Sequence, residues 1–329
     1  MTTAAEAVAA AKAAQKGKAM VAPGGWIFLA NDTNDFLSWQ FGVRRWTAQE
    51  RARVEAILAE RIARLSPTPY LMLVTPEKSV VCQDRLPHGL DRHPSFPDRP
   101  AAAIAQMQPK RVRYLEDALR SASAFGPVYF RGDTHVNWLG AYFAYRQAVA
   151  ALLDAGLAVG EPIPYSRLRL QIGGMEGDLF AQIDPDQRAA FEAEAGVVMH
   201  SGMLEAAIRL SLKEPRPVAQ DHAERTPLLT RLTGGREMIV KSQPDATLPR
   251  AVIFRDSTAT LLVDFLAEHF SRAVFIWREG DVIEDVIADE RPDVVLHFTA
   301  ERFLATYPET VPLSRLSELE HSDPAPERT

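Results

Sequence analysis

Two short stretches of this 329-residue sequence carry side chains of the kinds that nucleophilic catalysis uses. The first is Asp133-Thr134-His135. Residues two apart on an extended segment point to the same side. A carboxylate so placed can hold an imidazole in one tautomer and stabilise its charged form. A surface loop histidine with an acidic neighbour has the same sequence, so this pattern alone leaves both readings open. The second stretch is Arg255-Asp256-Ser257. Ser257 lies between an apolar run, Ala251 to Phe254, and a helix predicted from Thr260. A serine at a strand-to-helix turn presents its hydroxyl at the sheet edge. Its own N–H, backed by the helix, can meet a developing oxyanion. The ordinary alternative is a helix N-cap, a common task for serine.

The other reactive residue types fit chemistry less well. Cys82 is the single cysteine, so no intramolecular disulfide forms, and its strand-like surroundings (Ser79-Val-Val-Cys82) predict an inert, partly buried thiol. His88 and His93 fall in a Pro-rich excursion, His269 near a helix end and His297 in an apolar strand. None has a second His or Cys at zinc-ligand spacing, so no metal site is expected. No phosphate-binding or dinucleotide motif follows a strand, and Gly173-Gly174-Met175-Glu176-Gly177-Asp178 lacks the lysine and helix of a phosphate cradle. No cofactor is expected.

The elements that must position these residues follow from hydrophobic patterning. Hydrophobic residues make up 47% and charged residues 24%, the balance of an ordinary globular chain. Short apolar runs at 26–30, 70–75, 127–130, 251–254, 273–277 and 294–298 predict buried strands. Helices are predicted from Thr47, a cap with Glu50 three residues on, to about Leu65, and over 111–123, 138–155, 260–270, 282–288 and from about Ala300. Arg167 to Ile172 alternates and predicts an edge strand. Strands alternating with helices give an α/β fold with one mainly parallel sheet. In such sheets ligands bind beyond the carboxyl ends of the strands, where both reactive loops fall. Residues 1–22 are expected to be a frayed helix or tail, 23–310 the catalytic domain with a less regular insertion around 185–250, and 311–329 a polar C-terminal tail.

The net charge of −6 and a pI near 5.8 give no electrostatic reason to bind nucleic acid. No stretch reaches the ~18 consecutive apolar residues of a membrane span. The N-terminal region, interrupted by Glu6, Lys12, Lys16 and Lys18, lacks the apolar core of a secretory leader. The expectation is a cytoplasmic protein, or a periplasmic one if a native leader is missing from the sequence.

Taken together, several segments resemble the AlgX/AlgJ-like SGNH domains of alginate O-acetyltransferases. Gly25-Trp-Ile-Phe-Leu-Ala-Asn-Asp-Thr-Asn-Asp35 is similar to the family's opening strand and loop. Val74-Thr-Pro-Glu-Lys-Ser-Val80, with Leu86-Pro87, is similar to its proline–lysine segment. Tyr129-Phe-Arg-Gly-Asp-Thr-His135, with Asn137 and Gly140-Ala141, resembles its Asp-Thr-His block, and Arg255-Asp-Ser257 stands at its nucleophile motif. Arg255 replaces the glycine of GDSL-type motifs, and Val136 stands where the family often has tryptophan. Pro292-Asp-Val-Val-Leu296 with Thr299-Ala-Glu-Arg302 resembles the strand and turn that carry an oxyanion-side residue, but Glu301 replaces the usual amide and is left unassigned.

The resemblance implies a three-layer α/β/α sandwich with the SGNH motifs in permuted order, Asp and His before Ser. It implies Ser257 as nucleophile, His135 as general base and Asp133 as its partner. The implied activity is O-acyl transfer from an acyl donor to a carbohydrate acceptor through an acyl-enzyme. An ester hydrolase and a catalytically inactive carbohydrate-binding protein are the alternatives.

Overall fold

The computed structural model describes residues 2–87, 89–175, 177–186, 189, 205–219, 228, 238–278, 280–305 and 313–314. Thirteen strands are formed there: β1 (Ala19–Ala22), β2 (Trp26–Leu29), β3 (Tyr70–Thr75), β4 (Val112–Tyr114), β5 (Leu168–Met175), β6 (Glu205–Leu212), β7 (Val218–Ala219), β8 (Met238–Ser242), β9 (Arg250–Arg255), β10 (Arg272–Trp277), β11 (Val282–Ile283), β12 (Val294–Ala300) and β13 (Leu313–Ser314). The central sheet has the order β4-β3-β12-β9-β10-β8-β7. The first five of these run parallel, and β8 and β7 add an antiparallel edge.

Alternation along the parallel strands builds the three layers. Leu71, Leu73, Ile253, Phe275 and Leu296 face one side, against the helices Glu116–Ala122, Trp138–Asp154 and Val263–Ala267. Tyr70, Met72, Val74, Val252 and Val295 face the other, against Ala48–Leu65, Pro100–Met107 and Glu284–Glu290. Both faces are covered, which is why these strands read as continuous apolar runs. Thr47 caps its helix in the expected capping box with Glu50.

Several boundaries differ from expectation. The run at 26–30 is a strand but pairs with β1 in a separate hairpin. Within residues 1–22, where a frayed helix or tail was expected, Ala4–Ala13 form a helix capped by Thr3, and Ala7 and Val8 enter the core. In the run at 127–130, Val128, Tyr129 and Phe130 are buried, but the run joins no sheet. Its backbone closes on its own return instead, with Asn137 N–H donating to Val128 O and Phe130 N–H to His135 O. The stretch 111–123 splits into β4 and the helix Glu116–Ala122, because Val112 to Tyr114 pair with β3. The helix after Ser257 opens as a 3₁₀ turn, Ser257–Leu262, before Val263–Ala267, and 282–288 splits into β11 and Glu284–Glu290. The edge strand expected at 167–172 is β5, paired antiparallel with β6. Of the insertion at 185–250, the described residues include β6, β7 and β8; much of the rest, the C-terminal tail apart from β13, and His88 lie outside the described residues.

Candidate active site

Three neighbouring parallel strands end at one sheet edge. Thr75 of β3 is in register with Ala300 of β12, and Phe298 of β12 with Arg255 of β9. The residues that leave this edge are therefore Glu77-Lys78, Glu301-Arg302 and Asp256-Ser257. Lys78 brings the histidine loop to the same place. Its buried ammonium donates to the carbonyls of Phe130 (3.1 Å), Arg131 (2.8 Å) and Asp133 (2.7 Å), and lies over the Phe28 ring.

At the tip of that loop Asp133 Oδ1 lies 2.5 Å from His135 Nδ1 and accepts the His135 backbone N–H at 2.7 Å. The other oxygen, Oδ2, accepts the backbone N–H of Asp178 at 3.0 Å. Burial alone would raise the Asp133 carboxyl. The His135 hydrogen bond and charge outweigh it, together with the two backbone donors, and hold the group below its ordinary range. Burial likewise favours neutral His135, but the hydrogen bond and charge of Asp133, with Asp178 behind it, raise the imidazole above its ordinary value. His135 Nε2 is buried and has no hydrogen-bond partner among the described residues.

Ser257 is half-buried at the C-terminal end of β9. It is not the helix cap. Asp256 takes that role, its Oδ1 accepting the Thr258 N–H at 2.8 Å and its Oδ2 the Ala300 N–H at 2.6 Å. The serine hydroxyl is thus spared a capping duty. The turn Ser257–Leu262 packs against the helix Trp138–Asp154, which follows directly from the histidine loop. No hydrogen bond joins Ser257 to His135; in free enzymes the catalytic bonds are often long and tighten with substrate.

Arg302 spans the edge. It pairs with Glu77 at 2.8 Å, and its charge reaches Asp256, Asp178 and His135. Glu301 turns away into a buried knot, accepting from Arg99 Nε (2.9 Å), Tyr114 OH (2.8 Å) and the Glu77 N–H (3.2 Å). Burial raises its carboxyl despite Arg99. Its role is to tie strand ends together. Cys82 is buried and its thiol is pushed up to about 12, mainly by desolvation, so it is no nucleophile at neutral pH.

Asp178 is the residue that motif reading missed. The Thr134 N–H donates to its Oδ1 at 2.7 Å and the Thr134 hydroxyl to its Oδ2 at 2.5 Å. Gly177 permits this approach: a Cβ there would stand 1.8 Å from the Gly132 carbonyl oxygen. The glycines of 173–178 are the visible signal, though they serve a contact between loops rather than a phosphate. Donor atoms of Asp133, His135 and Asp178 lie within 4.8 Å of one another. His135 Nδ1 is engaged by Asp133, and both Asp178 oxygens by Thr134, so the cluster is satisfied by its own hydrogen bonds. Among the described residues no helix is long and apolar enough to cross a membrane.

Known proteins share this architecture. The family described as SGNH hydrolase-like domain, acetyltransferase AlgX, matches residues 20–204. PatB1 from Bacillus cereus aligns with a TM-score of 0.59 at 15% identity over 88% of this chain and 97% of its own. The O-acetyltransferase domain of Pseudomonas putida AlgJ aligns with a TM-score of 0.54 at 15% identity, over 91% and 95% respectively. A DHHW family protein from Eubacterium siraeum gives 0.57 at 18% identity, over 80% and 90%. No curated protein matches in sequence. The family match covers more than half of the chain, which therefore belongs to the AlgX-type SGNH hydrolase-like acetyltransferases.

Proposed function

We propose that the chain is a serine-dependent O-acetyltransferase in which Ser257 is the nucleophile, His135 the general base and Asp133 the carboxylate that fixes the imidazole. The observation that carries this reading is the state of the His135 ring. Nδ1 is anchored on a buried carboxylate, and Nε2 is buried with no partner among the described residues. A neutral imidazole held this way keeps its lone pair on Nε2, ready to accept a proton. A serine on the same sheet edge, freed from capping by Asp256, is the group suited to supply it.

In the first step Ser257 Oγ bonds to the acyl carbon of the donor while its proton passes to Nε2. The donor's leaving atom departs with that proton. In the second step an acceptor hydroxyl gives its proton to Nε2 and its oxygen bonds to the acyl carbon. The bond from that carbon to Ser257 Oγ breaks, and Nε2 returns the proton to Oγ, restoring Ser257 and the neutral ring. A carbohydrate hydroxyl is the acceptor favoured by the family relation. Asp133 stabilises the imidazolium formed in each step, consistent with the raised His135.

The test is turnover of p-nitrophenyl acetate with and without an oligosaccharide acceptor. Acceptor-dependent release with appearance of the acetylated sugar is the expected result. Equal release in water alone would make the protein an ester hydrolase. An acetylated protein whose label maps away from Ser257 would overturn the nucleophile.

A further inference from the structure

We propose that Asp178 is a positioning residue for His135, one that locks the Asp133–His135 loop from outside and sets a second negative charge beside the imidazole. The inference rests on the triad reading above, and it concerns a residue from a different part of the chain, the segment that follows β5.

Four hydrogen bonds clip the two segments together. Two run from Thr134 to the Asp178 carboxylate, one from the Asp178 N–H to Asp133 Oδ2, and one from the Leu179 N–H to Gly132 O at 3.2 Å. Asp133 thereby has both oxygens occupied, Oδ1 by His135 and Oδ2 by Asp178, so its carboxylate plane cannot turn without breaking a bond. The order of support is explicit: Asp133 orients the ring, and the Asp178 segment orients Asp133. Thr134 lies between the two catalytic residues, so fixing its N–H and hydroxyl fixes the backbone that carries both.

The charge of Asp178 acts on the same ring from 3.8 Å. The charged groups around His135 come from four parts of the chain. Asp133 sits on its own loop and Asp178 on the segment after β5, and both favour the protonated ring. Arg302, from the turn after β12, opposes them. Lys78, from the turn after β3, lies beneath the loop on the Asp133 carbonyl. The Asp178 side chain is 38% exposed, so water screens part of its charge. Its geometric contribution is therefore the larger and its electrostatic one the smaller.

The experiment compares wild type, Asp178→Ala, Asp178→Asn and Ser257→Ala by two measurements: p-nitrophenyl acetate kinetics across pH, and NMR titration of the His135 ring. Asp178→Ala should lower kcat roughly a hundredfold, the scale of a misplacement of about 1 Å, with little change in KM. Asp178→Asn keeps an oxygen for the Thr134 N–H, so it should recover most of that rate. Having lost the charge, it should also show a His135 midpoint below the wild-type one, with the acid limb of the pH profile displaced the same way. Wild-type kcat in Asp178→Ala would overturn the positioning role. An unmoved His135 midpoint in Asp178→Asn would overturn the electrostatic one. Ser257→Ala should leave the midpoint in place. If that variant still turned over the ester at the wild-type rate, the nucleophile assignment would fall, while the NMR titration would still decide the role of Asp178.

Discussion

The serine turn and the histidine loop stand at the same sheet edge but are held there in different ways. Ser257 continues a strand in the middle of the sheet. Its neighbour Asp256 is tied to the adjoining strand through the Phe298 carbonyl and the Ala300 N–H. The histidine loop belongs to no sheet. It closes on itself between Val128 and Asn137 and is clamped by Lys78 from one side and Asp178 from the other. The serine is thus placed by backbone pairing that the whole fold enforces, and the histidine by a few long-range polar contacts. Changes around the histidine should therefore separate catalytic rate from stability more readily than changes beneath the serine.

The largest expected effect is that of Ser257→Ala. Loss of a catalytic serine costs roughly a millionfold in kcat when it belongs to a complete triad. Because Asp256 and not Ser257 caps the helix, stability should change by only about 0.5 kcal/mol or less. Asp256→Ala is the counterpart. It removes a cap, about 1 kcal/mol, and strands the buried Ala300 N–H, about 1–3 kcal/mol more. Melting temperature and rate measured on the same samples check both. A Ser257→Ala protein that unfolds early, or an Asp256→Ala protein as stable as wild type, would break the account of the serine side.

Next in size is Lys78→Met, which tests the histidine side. Three carbonyls lose a charged donor, and an acceptor left buried without one costs about 1–3 kcal/mol. The loop that carries Asp133 and His135 should then relax, lowering kcat on the order of a hundredfold. Full activity in a folded Lys78→Met protein would mean that the bonds between Val128 and Asn137 hold the loop unaided, and the contrast between the two loops would shrink.

The same contrast explains what the sequence made legible. The strands β3, β9, β10 and β12 were plain because both faces of a parallel sheet are buried, leaving unbroken apolar runs such as Tyr70-Leu-Met-Leu-Val74. Asp133 and His135 were legible as a pair because they are two residues apart. Burial misled at 127–130: Val128, Tyr129 and Phe130 are as buried as any strand, yet periodicity cannot tell a sheet strand from a closed loop. The segments around Lys78 and Asp178 stood out in the sequence, but not as supports of the histidine, since each acts on backbone groups more than forty positions away along the chain. Glu301 illustrates the opposite difficulty, a residue in a suggestive motif whose carboxylate is used up in tying Arg99, Tyr114 and Glu77 together.

The smallest expected effect is a pH dependence that only the histidine side should show. Asp133 is held below its ordinary 3.8 in the folded protein, so its contribution is present above that value and is lost as pH falls through the lower folded one. His135 is raised above its ordinary 6.5, so its contribution is full below 6.5 and is lost as pH rises through the folded value. The pair therefore stabilises most between 3.8 and 6.5. In the proposed mechanism the general base is the neutral imidazole, which accumulates only above the raised value, so rate should climb where this stabilisation declines. Whole-protein melting curves alone do not isolate the pair, because burial raises the carboxyls of Asp32, Glu77 and Glu301 as well. The difference between wild type and His135→Gln does isolate it. That difference should favour wild type most across 3.8 to 6.5 and narrow as pH rises through the raised His135 value. A difference that stayed constant across neutral and alkaline pH would mean that the Asp133 contact confers no preference for the charged ring, and with it the explanation of how the imidazolium is stabilised would fail.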